Sequence, residues 1–120
     1  MRELKTHIVE GDSLNHQLKI AALDEPGAGG ANHRYAIGHD TLGTLTEFDF
    51  QNGPVAELPN GISNEALLAI VMDRLEGFSK GPFPSAYGDS ALVYVTWALN
   101  ALKARTSERL ARGVEGKLQA

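Results

Sequence analysis

Three arginines, Arg105, Arg109 and Arg112, recur at helical spacing in the stretch KARTSERLARGVEG, within a chain whose formal net charge is −4. A guanidinium offers planar, forked N–H donors that match phosphate or carboxylate oxygens. On a helix turning about 100° per residue, Val95, Ala98, Arg105 and Arg109 all fall within about 60° of the direction of Leu102. Tyr94 and Arg112 lie about 80° to one side. Arg105 and Arg109 therefore continue an apolar stripe, and the i, i+4 pair is expected to form an anion site. The competing reading, which accounts for one or two of them, is a helix-end cation favoured by the macrodipole, its carbon stem covering apolar surface and its charge met by Glu108 or Glu115. Arg112 is assigned to that role.

A fourth arginine, Arg74, falls within another apolar helical pattern, with Phe78 one turn later. Alone, Arg74 reads as a buried arginine paired with a carboxylate or as half of a cation–π pair, and Phe78 as core. Together with Arg105 and Arg109 they supply a flat surface for a base and forked donors for phosphate, which is what a nucleotide requires. Catalytic chemistry is less well supported. His7, His16, His33 and His39 lack metalloprotease spacing, no Gly-x-Ser-x-Gly elbow occurs, and the chain has no cysteine. The loop DEPGAGGANH invites a phosphate-cradle reading, but it lacks both the Walker pattern and the dinucleotide fingerprint and is expected simply to join two strands.

The elements that must position these residues follow from hydrophobic periodicity. HQLKIAAL places Leu18, Ile20 and Ala22 on one face of a strand; RYAI and TEFDF repeat the alternation with Tyr35 and Ile37, then Phe48 and Phe50. Asn52-Gly53 is a strong type I′ hairpin signal, with Pro54 placing the return strand at an edge. Ser63 is expected to cap a helix whose apolar stripe comprises Leu67, Ile70, Val71, Leu75 and Phe78. Gly and Pro then interrupt the chain, and a second helix restarts at Asp89 or Ser90 and runs to Gly113. The expected fold class is α+β: an N-terminal antiparallel β-sheet over residues 1–58, followed by a C-terminal antiparallel two-helix hairpin over 62–113, in a single domain of 1–120.

Composition narrows the function classes. The 120 residues are 42% hydrophobic, ordinary for a folded chain. Residues 1–60 carry four Lys or Arg against nine Asp or Glu, and 61–120 carry seven against six. Such a balance argues against coating duplex nucleic acid, while leaving room for a local basic pocket. No apolar run approaches the length of a membrane span, no secretory leader opens the sequence, and the absence of cysteine fits a reducing compartment, so a cytoplasmic protein is expected.

The stretches FQNGPVAELPNGISNEALLAIVMDRLEGF, GPF and RTSERLARGVEG together resemble the helical-hairpin region of phage proteins that sequester immune nucleotide signals. These are the Thoeris anti-defence family, related to the sponges that counter CBASS. The resemblance covers residues 48–116, and DEPGAGGANHRYAI is similar to the sheet region of the Thoeris branch. It implies a non-enzymatic binder with no cofactor, which captures cyclic ADP-ribose isomers of the glycocyclic kind and releases them intact. It also implies cyclic oligonucleotides as further ligands of some members, and assemblies of two or six subunits. In that family the signal lies between an aromatic residue after the first helix and arginines of the second, positions matched by Phe78, Arg105 and Arg109. Arg74, Asp89 and Asn52 complete the candidate ligand-binding set. Gly88 stands where the family pattern has Asn, so Asp89 or Tyr87 would have to supply that hydrogen bond. The alternatives are a nucleotide-signal hydrolase with a histidine such as His33 as general base, and a protein interaction module built on the arginine stripe.

Overall fold

The structure, a computed structural model, describes residues 1–115. Gly116, the last residue of the arginine-bearing stretch, lies outside them. The chain divides into two compact units, the first Met1–Ile62 and the second beginning at Ser63.

The first unit is a four-stranded antiparallel meander in the order β1-β2-β3-β4: β1 Arg2–Leu4, β2 Leu18–Ala22, β3 Arg34–His39 and β4 Gly43–Asp49. A single 3-10 turn, Asn15–Gln17, leads into β2, and its start is held by Asp12, whose carboxylate accepts from the backbone amides of Asn15 (3.0 Å) and His16 (2.7 Å). The pairing Ile20 to Ile37, Ala22 to Tyr35 and Tyr35 to Phe48 puts the expected apolar residues on one face. Leu4, opposite Ile20, joins them from β1, a strand too short to carry a periodic signal. Ala22 is fully buried. Tyr35, Phe48 and Phe50 form a ring cluster, with Phe50 edge-on to Tyr35 at 5.7 Å and to Phe48 at 5.5 Å. The β3–β4 turn closes on Gly43, whose φ of 76° suits a residue without Cβ.

The hairpin expected at Asn52-Gly53 does not form. Gly53 has a positive φ of 78° but Asn52 does not, so a type I′ turn, which needs both, is absent. Asn60 takes over the backbone groups that a return strand would have used. Its Oδ1 accepts from the Asn52 amide and its Nδ2 donates to the Asn52 carbonyl, each at 2.8 Å. The segment past Pro54 is consequently irregular, and Phe50 instead makes an isolated parallel bridge to Ile62.

The second unit consists of α1 Asn64–Lys80 and α2 Ala86–Arg112, which pack on each other. The short connection of residues 81–85 makes them antiparallel. Ser63 caps α1 as expected, its Oγ accepting from the Ala66 amide at 3.0 Å. Helix α2 starts before the expected Asp89 or Ser90, because Ser85, following Pro84, is itself a cap that accepts from the Gly88 amide at 2.9 Å. It ends where expected. Gly113, in the left-handed region at φ 75°, donates to the carbonyls of Arg109 and Leu110.

The faces of the helices differ from the expected ones. In α1 the half-buried stripe is Leu68, Met72, Leu75 and Ser79, while Ile70, Val71, Arg74 and Phe78 are exposed. In α2 the half-buried stripe is Leu92, Val95, Leu99, Leu102 and Thr106, continuing to buried Arg109. Its 3-4-3-4-3 spacing is that of a helix-packing seam. Arg105 lies about 90° from the centre of that stripe and is exposed. The expectation that Arg105 and Arg109 share one inward face therefore fails for Arg105. A window of apolar residues could not distinguish the seam from a second stripe beside it, because this helix carries two.

Candidate ligand-binding site

Arg109 is the buried cation of the candidate set. It is only 5% exposed, and its guanidinium Nη2 donates to the carbonyl of Val114 at 2.8 Å. The Val114 amide in turn donates to the Arg109 carbonyl at 3.0 Å. Side chain and backbone together therefore tie the last turn of α2 to the residues that follow it. Arg112 pairs with Glu108 one turn earlier, the helix-end role assigned to it.

Arg105 lies on the exposed second stripe of α2, together with Tyr94, Ala98 and Ala101 and, farther toward the start of the helix, Tyr87. Tyr87 is 91% exposed and Tyr94 72%, with Trp97 beside them at 71%. Heptad spacing from Tyr87 through Tyr94, Ala98, Ala101 and Arg105 is the sequence signal that could have revealed this face. Arg74 and Phe78 occupy the exposed face of α1, and the Arg74 guanidinium carbon stands 5.6 Å from the Phe78 ring centroid, the expected cation–π pair. Phe78 is 59% exposed and so is not core. Asp89, also exposed, sits in the first turn of α2.

Antiparallel geometry separates these groups. Phe78 lies at about the level of Gly88 across the hairpin, and Arg105 lies a further 17 or so residues along α2, roughly 25 Å away at 1.5 Å per residue. One hairpin thus presents Phe78, Arg74 and Asp89 near the interhelical connection, and Arg105 and Arg109 near its opposite end.

Asn52 belongs to the sheet unit, where it lines a cleft of about 350 Å³ with Leu23, Asp24, His33, Arg34, Asp49, Phe50 and Asn60. Asp24 organises this end of the sheet. Its carboxylate accepts from the backbone amides of His33 (3.0 Å) and Arg34 (3.2 Å) and from the side chain of Asn32. Burial pushes its pKa upward, but these hydrogen bonds outweigh burial and hold it below the ordinary carboxylate value. Arg34 Nε donates to Asp49 at 2.9 Å. The hydrogen bond to Asp49, and then its charge, raise the pKa of Arg34. In the glycine-rich loop the Gly27 amide donates to the Ala31 carbonyl and the Gly30 amide to the Gly27 carbonyl, so these two are spent within the loop and unavailable to a phosphate. No His, Asp or Glu cluster suited to a metal ion occurs among the described residues. No helix among them is long and apolar enough to cross a membrane.

The chain, a small sheet followed by a helical hairpin, belongs to a family of phage anti-defence proteins. A relative, from Bacillus phage SBSphiJ7, is named Thoeris anti-defense 1. It is 40% identical over 88 residues, which make up 72% of this chain and 62% of the relative. The match thus spans less than two thirds of the relative's own length. No protein-family model matches the chain. The resemblance read from the sequence is thus met by a homologue bearing that family's name.

Proposed function

We propose that the protein counters Thoeris defence in the cytoplasm of an infected bacterium by binding and sequestering an immune signalling nucleotide of the cyclic ADP-ribose type, without degrading it. The observation that carries this reading is the 40% identity to Thoeris anti-defense 1 across 72% of the chain. The physical chemistry is consistent with it. Arg105 offers a forked donor to a diphosphate, and Phe78, backed by Arg74, offers a ring face to a base. Stoichiometric capture needs no reacting group, only an affinity high enough to lower the free signal. The same guanidinium would donate to the phosphates of a CBASS cyclic oligonucleotide, a second ligand class for the protein.

The hairpin geometry adds a requirement. Phe78 and Arg105 stand roughly 25 Å apart in one chain, too far for one small nucleotide to touch both. The site is therefore composite, completed by a second copy. An antiparallel pairing of two α2 helices, centred near Trp97 and Ala98, would carry Arg105 of each chain toward Asp89 and Phe78 of the other. It would also cover Tyr87, Tyr94 and Trp97, which are more than two-thirds exposed in the single chain. A dimer, or a hexamer built from dimers, is the assembly this reading requires.

Incubating the protein with a cyclic ADP-ribose isomer and then denaturing it with heat should return the ligand unchanged, at one ligand per site. Recovery of a ring-opened product would instead support the hydrolase reading with His33 as general base. Against that reading, the carboxylate nearest in sequence logic, Asp24, is engaged by the backbone amides of His33 and Arg34 and by Asn32, with no bond to the His33 ring.

A further inference from the structure

The cleft in the sheet unit has unspent polar capacity that the fold does not use. Three chain segments converge there: the end of β2 with Leu23 and Asp24, the start of β3 with His33 and Arg34, and the end of β4 with Asp49 and Phe50. The loop past Phe50 adds Asn52 and Asn60. Asn60 is fully committed. Its two amide atoms bond the Asn52 backbone, and its own N–H donates to Gln51 Oε1 at 2.9 Å. Asn52 is thereby clamped by its backbone while its side-chain amide has no hydrogen bond among the described residues. His33 is in a similar condition. Its Nε2 and Cδ2 edge faces Gly27, where a Cβ would come within 2.7 Å of Nε2, and on the other edge Nδ1 is buried without a hydrogen-bond partner. A buried ring nitrogen left unbonded is costly, and such groups call for an explanation.

We propose that this cleft is a binding site for a neutral purine nucleoside, its base read by the Asn52 amide and its ribose diol held by Asp49. A side-chain amide places a donor beside an acceptor, the pattern that pairs bidentately with the N6/N7 edge of adenine. Phe50 supplies the apolar wall, and its edge-on packing against Tyr35 and Phe48 fixes its orientation. Asp49 spends one carboxylate oxygen on Arg34 Nε, which leaves the second to accept from a vicinal diol, as acidic residues do in dinucleotide sites. The volume of about 350 Å³ lies within the range of small-molecule sites, roughly 300–1,000 Å³. Electrostatics selects the uncharged form. Two carboxylates, Asp24 and Asp49, face one guanidinium, Arg34, so a phosphate would meet net negative charge.

The test uses the full-length protein and three probes: adenosine, AMP and inorganic pyrophosphate. Titration followed by amide NMR should show adenosine shifting the signals of His33, Arg34, Phe50 and Asn52, with AMP binding more weakly and pyrophosphate leaving those signals unmoved. Asn52→Ala should weaken adenosine at least tenfold, and Asn52→Asp, which keeps the shape but removes the amide donor, should do the same. Asn52 is exposed and bonded through its backbone, so both variants should fold, and their thermal melts verify it. The proposal is overturned if millimolar adenosine moves no signal, if the shifts centre on Phe78 and Arg105, if AMP or pyrophosphate binds the cleft more tightly than adenosine, or if both Asn52 variants bind as the parent does.

Discussion

Removing Arg105 and Arg109 one at a time should separate binding from folding. Arg109 is buried, its Nη2 bonded to the Val114 carbonyl and its own carbonyl accepting from Gly113 and Val114. Arg109→Ala deletes a charge-assisted hydrogen bond, which contributes about 1.5–3 kcal/mol, and a cation at a helix C-terminus, about 0.3–1 kcal/mol. A loss of about 2–4 kcal/mol in stability is expected, a fall in Tm of roughly 10 °C or more for a small protein. Arg105 is exposed and makes no hydrogen bond or ion pair among the described residues, so Arg105→Ala should leave stability within about 0.5 kcal/mol. Its effect belongs to the complex. If it meets a desolvated phosphate, truncation costs about 2–5 kcal/mol, at least about 30-fold in affinity for a cyclic ADP-ribose isomer. Thermal melts and isothermal calorimetry on both variants give the two numbers. A folded Arg105→Ala protein that binds within twofold of the parent would refute the role of the exposed stripe, and an Arg109→Ala protein that melts with the parent would refute the structural role of Arg109.

The pH dependence should centre on Asp24, whose pKa is held below the ordinary carboxylate value of 3.8. Its hydrogen bonds to the charged form therefore stabilise the fold fully above that value and are lost as pH falls through the lowered one, so Asp24→Asn should flatten the acid limb of the Tm profile below about pH 4. Gly61→Ala would drive a Cβ against the Phe50 backbone and to 2.7 Å from the Asp49 carbonyl oxygen; a loss of about 1–3 kcal/mol is expected in chemical denaturation, with unchanged stability counting against that close approach. Gly88→Asn, which places there the side chain that the resemblance implies, meets only the Ser85 Oγ, at 3.2 Å, and on the proposed reading should tighten cyclic nucleotide binding without unfolding α2; calorimetry showing no gain would remove Gly88 from the site.

Those elements of the fold were legible in sequence whose signal is local and redundant. Ser63 announces α1 through its cap, Gly113 ends α2 through its left-handed conformation, and the alternation of Leu18, Ile20 and Ala22 fixes which face of β2 is covered. What misled was a local signal overridden by a distant partner. Asn52-Gly53 carries the composition of a tight hairpin, yet Asn60, eight residues on, offers the Asn52 backbone both a donor and an acceptor and removes the reason for a return strand. β1 was invisible for another reason, since three residues cannot establish a period.

The candidate residues show a sharper limit. Periodicity reveals that a residue lies on an apolar stripe, but a helix in a two-helix hairpin has one partner and here two stripes. On α2 one stripe, Leu92 through Arg109, is covered, and the other, Tyr87 through Arg105, is exposed. The sequence placed both arginines near apolar neighbours, and only the packing assigned one to the fold and left the other available. An exposed stripe rich in Tyr, Trp and small residues is poorly explained as solvent surface, because exposed aromatic area of this kind costs free energy that an interface recovers. On the proposed reading, the same geometry that keeps Phe78 from Arg105 within one chain gives a reason for the exposed stripe to exist: a second α2 laid along it, antiparallel, would bury the aromatic residues and bring Arg105 of one copy to Phe78 of the other.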